Sequence, residues 1–157
     1  MVYLDETGIC KNDIEMFAWT KKGTIKPIKV EGKRSKRVNV IAAKSQNQII
    51  APFLFEGSCN TAVFETYIQE VLCPTLRKGQ VVIMDNASFH KSKKIKEWIE
   101  KKDCTLVYLP PYSPERNPIE KYWGVLKKKV KQCRRIIEDV YEAITLALNE
   151  TQEFGQP

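Results

Sequence analysis

Hydrophobic residues along the chain follow two patterns, short apolar runs and stripes that repeat about every 3.6 residues. The apolar runs are too short for helices and are rich in valine and isoleucine, which is typical of β-strands. A tight polar turn at residues 45–48 joins two of these runs into an antiparallel hairpin, and Pro52 indicates a bulge or an edge position there. The predicted strands are residues 2–4, 37–44, 49–56, 81–84 and 105–109.

Stripes at helical spacing lie between and after the later strands, and the first three are preceded by a residue suited to begin a helix. The predicted helices begin at Asn60 or Thr61, at Ser92, at Asn117 or Pro118, and near residue 137. This order predicts one α/β domain over residues 1–150, followed by a flexible tail at 151–157. Its mixed five-stranded sheet is antiparallel in the first three strands and parallel in the remainder, with helices on both faces.

The composition narrows the class of partner. A chain of 157 residues that is 43% hydrophobic can build one substantial core, and its net charge of +7 favours a polyanion, nucleic acid first. Five scattered cysteines without a CxxC pair argue against a zinc site or a disulfide framework. No apolar run reaches about 18 residues, so the sequence predicts a soluble, cytoplasmic protein that does not contact a membrane.

Three carboxylates are the candidate chemical groups. Asp5 and Asp85 each directly follow an apolar strand, and Glu120 ends the proline-rich segment LPPYSPERNPIE at the rim of a buried helix face. If the two strands are neighbours, carboxylates 4 Å apart repel by about 4 kcal/mol at an effective dielectric near 20. A hard divalent cation removes that conflict, so the pattern predicts Mg²⁺ or Mn²⁺, with two ions acting on a phosphodiester.

Each acid also has a simpler interpretation. Asp85 could start a turn, Asp5 could be a surface strand end, and Glu120 could complete a capping box with Asn117. Glu6 and Glu115 are lower-ranked substitutes for the acidic roles.

Two ring side chains stand near these acids in the sequence. His90, the single histidine, either orients DNA or a water near Asp85 or makes a structural hydrogen bond. Trp123 lies on the apolar face of its helix and is interpreted as a core residue.

Basic residues cluster before the hairpin, after Asp85 and along the Glu120 side of its helix. A charge run is usually a solvated face, but phosphate contact is favoured for the group beside Glu120 once a metal site is granted. The candidate DNA-binding residues are Lys33, Arg34, Lys36, Arg37, Lys91, Lys127, Lys131 and Arg134.

The acidic motifs resemble the DDE catalytic domain of mariner-like transposases, in the bacterial insertion-sequence branch. The resemblance rests on Asp5-Glu6-Thr7, on the run DNASFH from Asp85 to His90, and on residues 109–120 followed by Trp123. The 34 residues between Asp85 and Glu120 match the spacing in that family. It implies a ribonuclease H-like fold, Mg²⁺ dependence, Asp5 and Asp85 as paired metal ligands, and Glu120 as the third acid.

The resemblance also implies an activity, cut-and-paste transposition. Cleavage at transposon ends would free a 3′-hydroxyl for joining to target DNA, and pairing of two ends would suit a homodimer in the bacterial nucleoid. Arg116 stands where the family usually has an apolar residue. Family members carry N-terminal helix-turn-helix domains, which this sequence is expected to lack because Met1 is four residues before Asp5. A separate helix-turn-helix polypeptide is one partner that could recognise the transposon ends. The alternatives are an idle, DNA-binding transposase remnant and a ribonuclease H-like nuclease without strand transfer.

Overall fold

The computed structural model describes residues 1–10, 37–111 and 113–153. Five strands form one sheet in the order β3-β2-β1-β4-β5. The first three strands pair antiparallel, while β4 pairs parallel to β1 and β5 parallel to β4, which confirms the predicted mixed sheet. The strands are β1 (Val2–Cys10), β2 (Arg37–Ser45), β3 (Gln48–Glu56), β4 (Val81–Met84) and β5 (Thr105–Tyr108).

Strand β1 is longer than predicted, because the acidic pair after residue 4 does not end it. It pairs with β2 along its whole length, from Val2 to Cys10, so Asp5 lies in the middle of the strand. Pairing with β4 involves only Val2 and Tyr3. Backbone hydrogen bonds to β2 keep the chain extended across its charged residues. The polarity of those residues gave no sign that the strand continues.

The β2–β3 hairpin forms as predicted, with β3 at the edge of the sheet. Gln46 takes a positive φ of 54° in the turn, in the left-handed region that few residues other than glycine adopt. The pairing register shifts between Ile41 and Ala43, opposite the segment that contains Pro52. Both interpretations of that proline, an edge strand and a bulge, are therefore confirmed.

Helices cover both faces of the sheet. On one face α1 (Thr61–Thr66) runs on as a π-helical segment (Tyr67–Leu72) and a 3₁₀ turn (Cys73–Thr75), and α2 (Lys93–Glu100) lies beside it. The other face carries α3 (Ile119–Cys133) and α4 (Val140–Glu153). Asn60 caps α1, since its Oδ1 accepts a hydrogen bond of 3.0 Å from the Val63 amide. No helix among the described residues is both long and apolar enough to cross a bilayer.

Side chains that alternate along the strands point to opposite faces of the sheet and pack into two separate hydrophobic cores. Leu4 and Met84 pack with Phe64 of α1 on one face, whereas Ile9 packs with Leu126 of α3 on the other. Removing each such side chain from water stabilises the fold by about 1.5–3 kcal/mol. The two-sided core fixes the position of β1 and β4, the strands that carry the candidate acids.

Three predicted helix ends differ in the structure. Helix α4 begins at Val140 rather than near residue 137. Ser92 precedes α2 without capping it, because its hydroxyl donates to the Glu65 carboxylate instead. Helix α4 continues to Glu153, three residues into the predicted tail, because the hydroxyl of Thr151 shares a hydrogen bond of 2.8 Å with Tyr122 of α3. Residues 154–157 lie outside the described part of the chain.

Candidate active site

A cleft of about 490 Å³ opens beyond the end of β4. Asp5, Asp85 and Glu120 all line it, together with Lys91 and the prolines that follow Leu109. The structure thus brings the three predicted acids to one cavity, although they come from β1, the end of β4 and the first turn of α3.

Strand register explains why Asp5 and Asp85 are neighbours. The last paired residues of the parallel β1–β4 ladder are Tyr3 and Ile83. Asp5 and Asp85 each come two residues after one of these partners. Adjacent strands lie about 4.8 Å apart, and residues two positions further on point to the same face. The two carboxylates therefore project from neighbouring inner strands at the level where β4 ends.

Glu120 reaches the cleft because Asn117 anchors the start of α3. The Asn117 side chain is buried, and its Nδ2 donates a hydrogen bond of 3.2 Å to the carbonyl oxygen of Leu4. Its Oδ1 accepts from the Ile119 amide at 3.4 Å. Among the described residues the Glu120 carboxylate makes no capping-box bond. The sequence identified Asn117 only as a cap, whereas it also fixes the third acid relative to Asp5.

Asp5 is held by a residue that the sequence analysis assigned to the core. Trp123 is only 2% exposed, and its Nε1–H donates to Asp5 Oδ2 at 2.9 Å. Burial, which has the largest effect, and the nearby charges of Glu6 and Glu120 together raise the pKa of the Asp5 carboxyl to about 7, against the opposing effect of the Trp123 hydrogen bond. An uncompensated negative charge at Asp5 is thus unfavourable in this cleft.

Asp85 has the opposite electrostatic character. Its Oδ1 accepts hydrogen bonds from His90 Nδ1 at 2.5 Å and from the Ala87 amide at 3.0 Å. The His90 bond lowers the pKa of the Asp85 carboxyl, against the effect of partial burial. The turn interpretation of Asp85 is therefore also correct, since its side chain both closes a local turn and lines the cleft.

His90 makes the structural contact that the sequence left open. The imidazole is fully buried, with Nδ1 against Asp85 and Nε2 3.4 Å from Glu6 Oε2. Burial lowers the pKa of His90, but the hydrogen bonds to Asp85 and Glu6 outweigh it and raise the pKa to about 9. Glu6, one of the substitute acids, faces this ring.

The donor set of the cleft suits a hard divalent cation. Carboxylate oxygens are the ligands that Mg²⁺ and Mn²⁺ prefer. Burial and the charges of Glu6 and Glu120 raise the pKa of Asp5, so its ionised form is disfavoured in the protein alone. Within the described ranges no group of three or more acidic, imidazole or thiol side chains is arranged so that it could hold a metal ion by itself. Mg²⁺ commonly binds one or two carboxylates plus water and substrate phosphates, so an open set of this kind fits it.

The predicted basic residues divide by location. Lys91 lines the cleft and is exposed, and Lys127 is exposed on α3. Lys131 is partly buried, and Arg134 donates to the carbonyl of Ile137 at 3.1 Å. Arg37 is exposed at the start of β2 with its guanidinium over Gly8. Lys33, Arg34 and Lys36 lie outside the described residues.

Sequence comparison places the chain among known proteins. A family model described as DDE superfamily endonuclease matches residues 1–143. The transposable element Tcb2 transposase of Caenorhabditis briggsae is 30% identical over 101 residues, which cover 57% of this chain and 37% of that protein. An uncharacterized protein of Sinorhizobium fredii, y4pE/y4sA, is 35% identical over 89 residues, covering 55% of this chain and 62% of that protein. The chain thus spans only part of the length of the relatives it matches.

Solved structures share the fold. The Mos1 strand transfer complex superposes with a TM-score of 0.69 at 17% identity, covering 97% of this chain and 46% of that one. The catalytic core domain of BIV integrase superposes with a TM-score of 0.58 at 14% identity, covering 94% and 79% of the two chains. These likenesses confirm the predicted ribonuclease H-like fold. Because the family model matches residues 1–143, the chain belongs to the DDE superfamily endonucleases.

Proposed function

We propose that the chain is the catalytic domain of a metal-dependent DNA transposase. It would cleave phosphodiesters at transposon ends and join the freed 3′-hydroxyl to target DNA. The observation that supports this most is the common cleft of Asp5, Asp85 and Glu120, formed in a chain of the DDE endonuclease family. The strand-transfer and paired-end complexes of Mos1, which share the fold, favour DNA as the partner and a dimer that pairs two ends.

Asp5 and Asp85 would hold Mg²⁺ or Mn²⁺, and Glu120 would complete the ligand set of a second ion. When bound, the ions would lower the pKa of an attacking water or hydroxyl and neutralise charge on the phosphate. The protein itself positions the groups. Trp123 fixes the rotamer of Asp5, Asn117 sets the start of α3, and the low pKa of Asp85 keeps that carboxylate ionised.

Basic residues next to the acids would bind the DNA backbone. Lys91 stands in the cleft itself, where its ammonium can contact a phosphate beside the scissile bond. At 1.5 Å rise per residue, Lys127 and Lys131 lie about 10 and 16 Å along α3 from Glu120, on the same side of the helix. A strand that leaves the cleft along α3 would therefore pass both lysines.

The activity is tested by supplying the chain with supercoiled plasmid and Mg²⁺ or Mn²⁺. Nicking, together with joining of an oligonucleotide 3′-hydroxyl to the plasmid, is the result expected of a transposase domain. Nicking of DNA or RNA–DNA hybrids without joining would indicate a nuclease. DNA binding without either reaction, under both metals, would overturn the proposed catalysis.

Lys91→Ala is expected to weaken DNA binding and to reduce its dependence on salt. Loss of one phosphate contact lowers the slope of log K against log salt by about 0.9. Fluorescence anisotropy with a labelled duplex, measured over a range of salt concentrations, gives that slope. Lys78→Ala is the matched control, because Lys78 precedes β4 at the end remote from Asp85 and pairs with Asp103 at 3.2 Å. Equal slopes for the two variants would exclude Lys91 from the interface.

A further inference from the structure

A chain of three polar groups runs from the cleft into the interior. Asp85 lines the cleft, His90 is fully buried behind it, and Glu6 lies beyond the imidazole with its side chain 24% exposed. Buried His90 Nε2 and Glu6 Oε2 are 3.4 Å apart, and neither has another hydrogen-bond partner among the described residues. Such a pair of buried atoms calls for an explanation beyond packing.

We propose that His90 is a positioning residue for Asp85 and that Glu6 supports His90 rather than serving as a further metal ligand. The inference rests on the proposed function, since it assigns how one of its acids is oriented. Carboxylates that bind metals are themselves hydrogen-bonded, and these outer contacts fix the angle at which the ligand oxygen is presented.

The imidazole is locked in place from several sides. Its ring lies 4.1 Å from the Phe64 ring and 4.4 Å from the Phe89 ring, centroid to centroid. The hydroxyl of Tyr108 in β5 donates to the backbone carbonyl of His90 at 2.9 Å. The ring therefore has no room to turn, and Nδ1 stays directed at Asp85.

The contact with His90 gives the two carboxylate oxygens of Asp85 different roles, one bonded within the protein and one available to a cation. His90 Nδ1 and the Ala87 amide both bond Oδ1. No hydrogen bond from the described chain reaches Oδ2, which keeps its full capacity to bind a cation. A carboxylate held at one oxygen by two donors cannot rotate without breaking both bonds, so the orientation of Oδ2 is set before any ion arrives.

Glu6 cannot join Asp5 in the cleft, because successive side chains of a strand point to opposite faces. Asp5 faces α3, where Trp123 bonds it, whereas Glu6 faces the side of α1 and meets His90. Glu6, which follows the proposed metal ligand Asp5 in the sequence, thus supports Asp85 through the imidazole of His90.

Two substitutions at His90 separate the two contacts. In His90→Asn the amide nitrogen is as many bonds from Cβ as Nδ1, so a donor to Asp85 is kept. In His90→Gln the nitrogen takes the place of Nε2, so only the side toward Glu6 is kept. Mn²⁺ and Mg²⁺ affinities are measured from the rise in melting temperature with metal concentration, which does not depend on catalysis.

His90→Gln is expected to weaken metal affinity roughly 10- to 100-fold, the usual effect of losing such an outer contact, while His90→Asn stays within about 3-fold of the native protein. Glu6→Gln, which still accepts from Nε2, should lie between them. Unchanged affinity in His90→Gln, or equal losses in the Asn and Gln variants, would overturn the proposal.

A second measurement on the native protein covers variants that fail to fold. Because His90 is the single histidine, its ring ¹⁵N signals can be assigned without ambiguity. A slowly exchanging Nδ1 proton is expected, whose resonance shifts with Mg²⁺ and with Asp85→Asn but not with Asp103→Asn. A rapidly exchanging proton, or one insensitive to Asp85→Asn, would overturn the assignment. Absence of nicking with the resonance present would instead reject only the proposed function.

Discussion

Asp85→Asn is expected to reduce Mg²⁺-dependent cleavage at least about 10³-fold while leaving the fold intact. The amide oxygen can still accept from the Ala87 amide and from His90, so the local turn is retained. What is lost is one negative charge that would hold the cation. Metal ions supply several kcal/mol of charge stabilisation in the transition state, and about 4 kcal/mol corresponds to a 10³-fold change in rate.

The matched control for this loss is Asp103→Asn. Asp103 is exposed, pairs with Lys78, and has a positive φ of 55° that asparagine tolerates well. The Asp103→Asn substitution removes the same charge far from the cleft and should leave the nicking rate of supercoiled plasmid unchanged. Circular dichroism and melting temperature verify the fold of both variants. Nicking by Asp85→Asn at the rate of the control would show that Asp85 has no part in catalysis.

Asp5→Asn is expected to stabilise the metal-free protein at pH 8 by about 1–3 kcal/mol, although it should abolish activity. Burial raises the pKa of Asp5 to about 7, so the folded state resists ionisation that the unfolded chain accepts near its ordinary value of 3.8. Three pKa units would correspond to about 4 kcal/mol, and the partial exposure of the side chain reduces that figure. Asparagine removes the charge and still accepts from Trp123.

Because the pKa of Asp5 is raised in the folded state, the stability gained by Asp5→Asn depends on pH. Between pH 4 and 7 the folded protein binds the Asp5 proton more tightly than the unfolded chain, so this group lowers stability progressively as pH rises. The advantage of Asp5→Asn in urea denaturation with EDTA should therefore be near zero at pH 4 and reach its full value above pH 7. Saturating Mg²⁺ should then stabilise the native protein more than the variant. A variant less stable than the native protein at pH 8 would contradict this account of Asp5.

Much of the fold was predictable because its signals are local. The polar turn at residues 45–48 between two apolar runs predicted the β2–β3 hairpin, and Asn60 predicted the start of α1. The length of β1 was not predictable in this way. Its continuation to Cys10 depends on pairing with β2, whose partner residues are about 35 positions away in the sequence.

The candidate site was predictable in its acids but not in the groups that hold them. Asp5 and Asp85 follow apolar runs, and Glu120 ends a distinctive motif, so each left a signal in the sequence. The Nε1–H of Trp123 and the ring nitrogens of His90 left none, since an apolar helix face and a lone histidine are each usual in a core. Only the three-dimensional arrangement shows that these buried rings also bond the carboxylates.

The hydrogen bond from Asn117 to the carbonyl of Leu4 makes the completeness of the site depend on the docking of one helix. Asp5 and Asp85 belong to strands whose pairing brings them together, whereas Glu120 arrives only with α3. A nascent or partly melted chain in which α3 has detached would keep two acids and lack the third. If the chain cuts DNA as proposed, that activity would require α3 to be docked, so cleavage would begin only once the fold is complete.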